Sequence, residues 1–340
     1  MLFTVVFNIC DFWHKNLIFI EVYKTTIMKY KNCRVTFDIK EFELRNIFKI
    51  SRGSKDKITT LEVKITKNQN VGRGEYIPYK RYNDSLQKII KFLRKNKNIS
   101  NLKTVESLAL RNALSNAYYD LELKRNKINY SKILKYKKKF NTAITIPIYT
   151  EKKFISELKK IRNIRYLKIK LNENKVFNYL DLVKKHSPKS KIIIDANEGW
   201  SIKFLKDNER MLKKYNILFI EQPVKSSKDH NIKTKLPLCA DESFHLKNDK
   251  QKIKKIYQWV NIKPDKFGCE SDILKSIQYA KKNKLKIFFG CMVSSSLSII
   301  PSLKYTKYCN VLDLDGPLFL KKDYKNGLKY KNGYLTYNKK

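Results

Sequence analysis

The sequence predicts an α/β fold in which parallel strands alternate with helices and close into a barrel. Apolar runs that end in an acidic residue recur along the middle of the chain, and lysine-bearing runs precede and follow them. Successive sites are 20 to 26 residues apart, about the length of one strand, one helix and two short connections. The residues that mark these sites are, in chain order, Lys168 and Lys170, Asp195, Glu221, Asp241 and Lys263.

Strand and helix patterns alternate regularly from residue 143 onwards. We expect strands near 144–149, 166–170, 191–195, 217–221, 237–241, 259–263, 285–290 and 310–315. We expect helices at 151–160, 175–186, 202–214 and 269–283. This pattern assigns residues 143–319 to the barrel.

The N-terminal third has a different pattern. Residues 33–39 and 59–65 alternate as strands do and are expected to pair around the loop at 50–54. Helical periodicity follows at 85–95 and 105–124. We therefore expect a separate α+β domain here.

The boundaries of that domain are set at residues 28–142. The tail, 320–340, has turn signals at Asn326-Gly327 and Asn332-Gly333, and we expect it to form a hairpin that returns to the first domain.

Residues 1–27 do not fit either domain. The segment starts apolar, but it has no basic region or cleavage site, and charged residues interrupt it too early for a membrane-spanning helix. We interpret it as an N-terminal extension from a mis-assigned start, in preference to a genuine amphipathic extension. No other segment suits a membrane span, so we expect no membrane partner.

The chain is strongly basic, with 74 Lys and Arg against 31 Asp and Glu. Lysine is spread along the whole chain and rises together with Asn, Ile and Tyr, which indicates biased coding composition. We therefore expect no nucleic-acid partner, although the charge raises the local concentration of anionic ligands. The six cysteines form no CxxC pair, as is typical of reduced residues in a cytoplasmic protein.

The polar residues at the strand ends suit catalysis. In a barrel these ends meet at one mouth, where carboxylates suit a hard divalent cation and lysines suit proton transfer. Each acid alone could be a helix cap, and paired lysines are common in so basic a chain. Lys168 and Lys170, however, are two apart on a strand and face the same way, and burying such charges is costly. The combined pattern favours a catalytic site.

These motifs, in this order, resemble the enolase superfamily, and within it the muconate-lactonizing (mandelate racemase) branch and its dipeptide epimerases. The resemblance covers about residues 30–320 and implies a (β/α)₇β modified TIM barrel with an α+β capping domain. The motifs are Lys-x-Lys at 168–170, Asp-Ala-Asn-x-Gly-Trp at 195–200, Ile-Glu-Gln-Pro at 220–223, Ala-Asp-Glu-Ser at 240–243 and Asn-Ile-Lys at 261–263.

The resemblance also implies a mechanism. Asp195, Glu221 and Asp241 would bind Mg²⁺, with Asn197 as a supporting residue. Lys170 and Lys263 would be acid/base residues on opposite faces of the substrate, and Lys168 would assist by its charge. The implied enzyme is an isomerase, a dipeptide epimerase that inverts the α-carbon of the C-terminal residue, for example in L-Ala-D/L-Glu.

Substrate contacts are expected from three places. Asp313 and Asp315 would share a face of the last strand and resemble the Asp-x-Asp pair by which dipeptide epimerases hold an α-ammonium group; we expect both to be ionised. A solvated turn before Gly-Pro is the alternative. Arg52 resembles the family's substrate-facing cap arginine, with a plain surface role equally open. Met292 and Ser294 would line the pocket, unless the hydroxyl groups of this loop cap the next helix.

Other functions remain open at this stage. Within the superfamily they are succinylbenzoate synthesis, N-acylamino-acid racemisation and cycloisomerisation, the last weakened because no glutamate lies near Ser294. Outside it, an inactive basic protein that binds polyanions is the alternative. The sequence does not decide the dipeptide side chains or whether the protein is a homo-oligomer.

Overall fold

The structure, a computed structural model, describes residues 27–246 and 252–337. The expectations for the N-terminal extension therefore lie outside the described residues, apart from Ile27. The chain divides into two units: one comprises the residues up to Glu41 together with Thr59–Asn129, and the other comprises Phe42–Ile58 together with the residues from Tyr130 on. No helix of the described residues is long and apolar enough to cross a membrane.

The first unit is built on a five-stranded sheet. Its strands, in spatial order, are Asn70–Tyr76, Gly53–Lys67, Cys33–Ile50, Met28–Tyr30 and Asn98–Ile99. The two longest strands form the expected hairpin. The tip of this hairpin, Phe42–Ile58, belongs to the second unit and not to the first. Two α-helices, Leu86–Lys95 and Leu108–Arg125, and short 3₁₀ helices at Lys80–Tyr82 and Leu102–Thr104 complete the unit.

Two positions of this sheet require glycine because a helix packs closely against them. A Cβ at Gly72 would lie 2.0 Å from the Ala117 carbonyl oxygen, and one at Gly74 would lie 2.2 Å from that of Ala113. The helix Leu108–Arg125 is therefore in direct backbone contact with the edge strand. Small residues on both sides permit this approach.

The second unit contains the predicted barrel. Its eight strands are parallel and adjacent in chain order, and we call them the first to eighth barrel strands. They are Ile144–Ile146, Tyr166–Lys170, Lys191–Asp195, Ile217–Glu221, Leu238–Ala240, Trp259–Ile262, Lys286–Gly290 and Val311–Asp313. The Ala143 amide donates to the Leu312 carbonyl at 2.7 Å, which links the last strand back to the first. The predicted fold class is confirmed.

Helices follow most of the barrel strands. The α-helices of this unit are Tyr130–Ile133, Glu151–Lys160, Val176–His186, Ile202–Asp207, Glu209–Leu212, Ile253–Ile256, Pro264–Phe267, Glu270–Lys282 and Ser296–Ile299. The 3₁₀ helices are Asp229–Asn231, Ile300–Tyr308 and Gly316–Phe319. The single helix expected at 202–214 is wrong, because it breaks at Asn208. The Asn208 side chain donates to the Phe204 carbonyl at 2.9 Å, and this bond helps to end the first piece.

The tail forms a hairpin at the second of its two predicted turns. Strands Lys329–Lys331 and Tyr334–Thr336 meet at the Asn332-Gly333 turn, and the second of them pairs with Lys139–Asn141. That partner immediately precedes the first barrel strand, and the tail falls in the same unit as the barrel. Residues 139–141 fall within the bounds 28–142 that the sequence assigned to the capping domain, whereas the division by contacts places them in the barrel unit, and the expected return of the tail to the capping domain stays a prediction.

Candidate active site

Side chains that point into the barrel form two layers. The lower layer is apolar and comprises Ala143, Tyr166, Ile193, Phe219, Cys239, Trp259, Phe288 and Val311, one from each strand or just before it. Side chains alternate along a strand, so the residue two positions later faces the same way. The upper layer, at the carboxyl ends of the strands, comprises Lys168, Asp195, Glu221, Asp241, Asn261, Gly290 and Asp313, with Lys170 and Lys263 two residues above. Each predicted charge is thus placed at the mouth.

Lys168 lies at the centre of the carboxylates. Its ammonium nitrogen is 2.7 Å from Glu221 Oε2, 2.8 Å from Asp313 Oδ2 and 3.0 Å from Asp195 Oδ2. Burial lowers the pKa of Lys168, but these three carboxylates outweigh it and raise the pKa well above its ordinary value. These contacts favour the charged form of Lys168, and its electrostatic role stays a prediction.

Lys170 and Lys263 occupy opposite sides of the mouth. They follow from the second and sixth barrel strands, four strands apart in a barrel of eight. The Lys170 ammonium donates to Asp195 Oδ2 at 2.6 Å and to Asn197 Oδ1 at 3.0 Å. The Lys263 ammonium donates to Asp241 Oδ2 at 2.6 Å. A group held between them has one lysine on each face.

Asp195, Glu221 and Asp241 are buried side by side at the ends of consecutive strands. Burial and the Asp195 charge raise the pKa of Glu221 to about 7. Burial opposes ionisation of Asp195 and Asp241 too, but neighbouring lysines hold the pKa of each below its ordinary value. The pKa values of Asp195 and Asp241 are lowered because two lysine ammonium groups contact each carboxylate. Two lie within 3.0 Å of Asp195, and two lie within 2.6 Å of Asp241.

The carboxylates have the right chemistry for a divalent cation. All three offer oxygen atoms, the donors that Mg²⁺ prefers. Among residues 27–246 and 252–337, no three acidic, thiol or imidazole groups are arranged as the ligands of one ion. Lysine ammonium groups lie between the carboxylates, as the contacts of Lys168 show. The residues present therefore fit Mg²⁺ by the chemistry of their donors, and the ligand set stays a prediction.

Asn197 contacts both Asp195 and Lys170, and its supporting role stays a prediction. Its backbone amide donates to Asp195 Oδ1 at 3.0 Å, and its side chain accepts from Lys170. The backbone of Asn197 is in the left-handed region, with φ 47°, which asparagine tolerates better than most residues. This backbone conformation allows Asn197 to contact both Asp195, a predicted metal ligand, and Lys170, a predicted base.

Several further residues of the site were missed by sequence reasoning. Lys266 is fully buried, and its ammonium donates to the Asp241 side chain at 2.5 Å and to the carbonyls of Asp241 and Asn261. The Gln222 side chain accepts from the amides of Asp241 and Ser243, both at 3.0 Å. The position of Lys266, one helical turn after Lys263, was the available signal, but lysine is too frequent here for one position to stand out.

Asn261 is a third such residue, and a glycine makes room for it. Its side chain donates to Glu221 Oε1 at 2.6 Å. A Cβ at Gly290, on the next strand, would lie 2.6 Å from the Asn261 side-chain oxygen. The small residue at the inward position of the seventh strand therefore allows Asn261 to reach the carboxylate.

Asp313 and Asp315 do not share a strand face, so that expectation is wrong. The eighth strand ends at Asp313, and Asp315 lies beyond it with φ −97° and ψ 5°. Asp315 Oδ2 accepts from the Thr145 amide at 2.7 Å, while Asp313 pairs with Lys168. Burial and the Asp313 charge raise the pKa of Asp315 to about 7. This shift works against the expected ionisation of Asp315 at neutral pH, which stays a prediction.

Met292 and Ser294 lie beside this pair. A Cβ at Gly316 would lie 2.5 Å from the Met292 carbonyl oxygen and 3.1 Å from Ser294 Oγ. The Ser294 hydroxyl is fully buried and has no hydrogen-bond partner among the described residues. A buried hydroxyl without a partner is costly, which suits a contact completed by a ligand. The substrate role of both residues stays a prediction.

Arg52 is held by the loops of the barrel. Its guanidinium donates to the Asn197 carbonyl at 2.7 Å, to Glu198 Oε2 at 3.2 Å and to Glu242 Oε1 at 2.5 Å. The neighbouring Ser51 hydroxyl donates to the Ala196 carbonyl at 2.7 Å. The hairpin tip that carries Arg52 is thus tied to the residues that follow Asp195.

The sequence profile of the family described as enolase C-terminal domain-like matches residues 153–340, more than half of the chain. The chain belongs to this family. The resemblance stated from its motifs is confirmed, and so is the enolase-like fold.

Two curated relatives and one solved structure are similar to this enolase-like chain. An N-acetyl-D-glutamate racemase from Pseudoalteromonas sp. is 33% identical over 290 residues, which cover 81% of this chain and 91% of that protein. The L-Ala-D/L-Glu epimerase of Escherichia coli (strain K12) is 28% identical over 316 residues, or 87% of this chain and 98% of that protein.

The structure is that of an enolase family member from Agrobacterium tumefaciens, described as homologous to dipeptide epimerases, with bound sodium and L-Ala-L-Glu. It has a TM-score of 0.82 and 27% identity, and the match covers 90% of this chain and 98% of that one. The named enolase-like relatives are thus racemases and epimerases, which are isomerases.

Proposed function

We propose that this enolase-like chain is a Mg²⁺-dependent epimerase that inverts the α-carbon of the C-terminal residue of a dipeptide. The observation that carries the proposal is the placement of Lys170 and Lys263 on opposite sides of one cluster of carboxylates. Stereoinversion needs one acid/base group on each face of the reacting carbon, because a proton leaves from one face and returns to the other.

Each residue of the mouth has a part in this reaction. Lys170 removes the α-proton from one stereoisomer and Lys263 removes it from the other, and the opposite lysine returns a proton. Lys168 remains charged and stabilises the negative charge that develops on the substrate carboxylate. A divalent cation bound by Asp195, Glu221 and Asp241 would neutralise part of the charge around Lys263 and polarise the substrate carboxylate.

The positive charge of the cation would affect the protonation of Lys263. Burial lowers the pKa of Lys263, but Asp241 and then Glu221 raise it above its ordinary value. A lysine must be neutral to accept a proton, so these carboxylates need a counter-charge before Lys263 serves as a base.

Asp313 and Asp315 support a substrate with a free α-ammonium group. Both are buried at the end of the eighth strand, and a cationic ligand would favour the ionised form of Asp315. The L-Ala-D/L-Glu epimerase among the relatives agrees with such a substrate.

A second candidate is racemisation of an N-acylamino acid. The relative with 33% identity is an N-acetyl-D-glutamate racemase, and the chemistry at the α-carbon is the same. The two candidates differ only in the group attached to the nitrogen, which is a free aminoacyl group in one and an acetyl group in the other.

The test is incubation of the protein with Mg²⁺ in D₂O, with L-Ala-L-Glu and with N-acetyl-L-glutamate in parallel. We expect the dipeptide to gain one mass unit and its other epimer to appear. Faster exchange of the acetylated compound would replace the first candidate by the second. Exchange of neither compound, nor of any member of a dipeptide library, would overturn both.

A further inference from the structure

The residue between Asp313 and Asp315 is held by two hydroxyl groups from other parts of the barrel unit. The Leu314 amide donates to the Thr142 hydroxyl at 2.9 Å, and the Tyr330 hydroxyl donates to the Leu314 carbonyl at 2.7 Å. That amide belongs to the peptide that joins Leu314 to Asp313, and that carbonyl belongs to the peptide that joins Leu314 to Asp315. Because a peptide unit is planar, each hydrogen bond orients the backbone next to one aspartate.

The backbone pairing of the eighth barrel strand ends just before Leu314. The last paired residue is Asp313, which lies opposite Gly290 on the seventh strand. Asp315 is held through its side chain, which accepts from the Thr145 amide at 2.7 Å. The backbone of Leu314 therefore depends on its hydrogen bonds to side chains. Both aspartates are buried, so a small shift of this backbone would move their carboxylates relative to a bound ligand.

The tail hairpin sets the position of both hydroxyl groups. Tyr330, on the first strand of the hairpin, lies opposite Leu335, and Leu335 lies opposite Phe140. The Thr142 amide, two residues beyond Phe140, donates to the Gly333 carbonyl at the hairpin turn at 2.9 Å. Leu335 and Phe140 are both buried, so packing as well as hydrogen bonding holds the hairpin in this register.

We propose that Tyr330 and Thr142 are positioning residues that orient Asp313 and Asp315 for binding of the substrate's α-ammonium group. The inference rests on the proposed function and extends the site that recognises a free amine to the tail hairpin. Neither hydroxyl group touches the substrate. Each acts by keeping a carboxylate in place before the ligand arrives, so that binding costs less ordering of the site.

The experiment removes each hydroxyl group with little change in the shape of its side chain. Tyr330→Phe, Thr142→Val and the wild type are assayed with Mg²⁺ for α-proton exchange from L-Ala-L-Glu and from N-acetyl-L-glutamate, and the affinity for each compound is measured by calorimetry. We expect each variant to raise KM for the dipeptide by about 3- to 10-fold, because one neutral hydrogen bond is lost, while kcat falls much less. Binding of the acetylated compound, which has no ammonium group, should stay unchanged.

Matched variants separate positioning from a general effect on the fold. Thr142→Ser keeps the hydroxyl group and should keep KM for the dipeptide near the wild-type value. Tyr334→Phe removes a hydroxyl group from the second strand of the same hairpin, where the ring centre lies 4.1 Å from the Lys139 ammonium, and should leave KM unchanged. Thermal unfolding of every variant shows whether the folded protein has been lost.

The positioning role and the proposed function fail in different ways. If the wild type exchanges α-protons, but Tyr330→Phe and Thr142→Val leave KM for the dipeptide unchanged or weaken both compounds equally, the positioning role is overturned while the function stands. If the wild type exchanges neither compound, nor any member of a dipeptide library, the epimerase is overturned, and calorimetry decides the positioning role. A selective loss of affinity for the free dipeptide in both variants then supports it, and any other result overturns it.

Discussion

Single residues of the second barrel strand show how local geometry produces the site. Tyr166 is part of the apolar layer inside the barrel, so Lys168 and Lys170 must point inward as well. The intervening Leu167 and Ile169 pack outward in the main core. Position above the apolar layer then separates the two lysines: Lys168 is surrounded by three carboxylates, whereas Lys170 is next to Asp195 and the Phe48 ring.

Asp315 gives a prediction of pH dependence. Its pKa is raised to about 7 by burial and by Asp313, so the ionised form is present above that pH and lost below it. If Asp315 binds the α-ammonium group, KM for a free dipeptide should rise by roughly tenfold per pH unit below pH 7. The measurement is KM between pH 6 and 8. An N-acetyl substrate is the control, and a parallel rise in its KM would contradict the assignment.

Substitution tests the same pair directly. Asp315→Asn and Asp313→Asn should each raise KM for the dipeptide by about 10- to 100-fold, because each removes a charge-assisted hydrogen bond to the ammonium group. Mg²⁺ affinity, measured by calorimetry, should change little, since neither residue is a proposed ligand. Unchanged KM in both variants would instead favour the N-acylamino-acid racemase.

Among the structural elements, those with strong periodicity were predictable from the sequence. The eight barrel strands and the helix Glu151–Lys160 are where their patterns indicate. The eighth strand is shorter than predicted, because the Leu314 amide donates to the Thr142 hydroxyl and the Thr145 amide donates to Asp315. These hydrogen bonds to side chains replace the backbone hydrogen bonds of the sheet, and the pattern of apolar residues in the sequence does not predict them.

Long-range partners explain the remaining differences. Lys266 is an ordinary lysine in the sequence, and only the folded chain places its ammonium against Asp241. The tail was recognisable as a hairpin from Asn332-Gly333, but nothing local specified Lys139–Asn141 as its pairing partner. The site residues at the strand ends could be predicted from the sequence because the topology of a barrel brings the ends of its strands together.

The helix Leu108–Arg125 and its edge strand supply a prediction about stability. Gly72→Ala places a methyl group 2.0 Å from the Ala117 carbonyl oxygen, where backbone must move. We expect the free energy of unfolding to fall by about 1–3 kcal/mol. Urea denaturation measures it, with Val71→Ala, an exposed position on the same strand, as the control. Equal stability of Gly72→Ala and the wild type would contradict the close packing.

On the scale of the whole molecule, the proposed function requires a divalent cation. Asp195→Ala, Glu221→Ala and Asp241→Ala should each abolish α-proton exchange and Mg²⁺ binding while the protein stays folded, because each removes one anionic ligand. Chelator should inactivate the wild type, and added Mg²⁺ should restore it. Full activity after exhaustive chelation would contradict the assignment of the three carboxylates.

The two-base arrangement is the central claim, and isotope exchange from each stereoisomer tests it most directly. Lys170→Ala and Lys263→Ala are incubated with Mg²⁺ in D₂O, once with L-Ala-L-Glu and once with L-Ala-D-Glu. Because the two lysines lie on opposite sides of the mouth, each variant should lose exchange from a different stereoisomer by about 10²- to 10⁴-fold and retain exchange from the other. Loss from the same stereoisomer in both variants, with the other unaffected, would contradict a two-base mechanism.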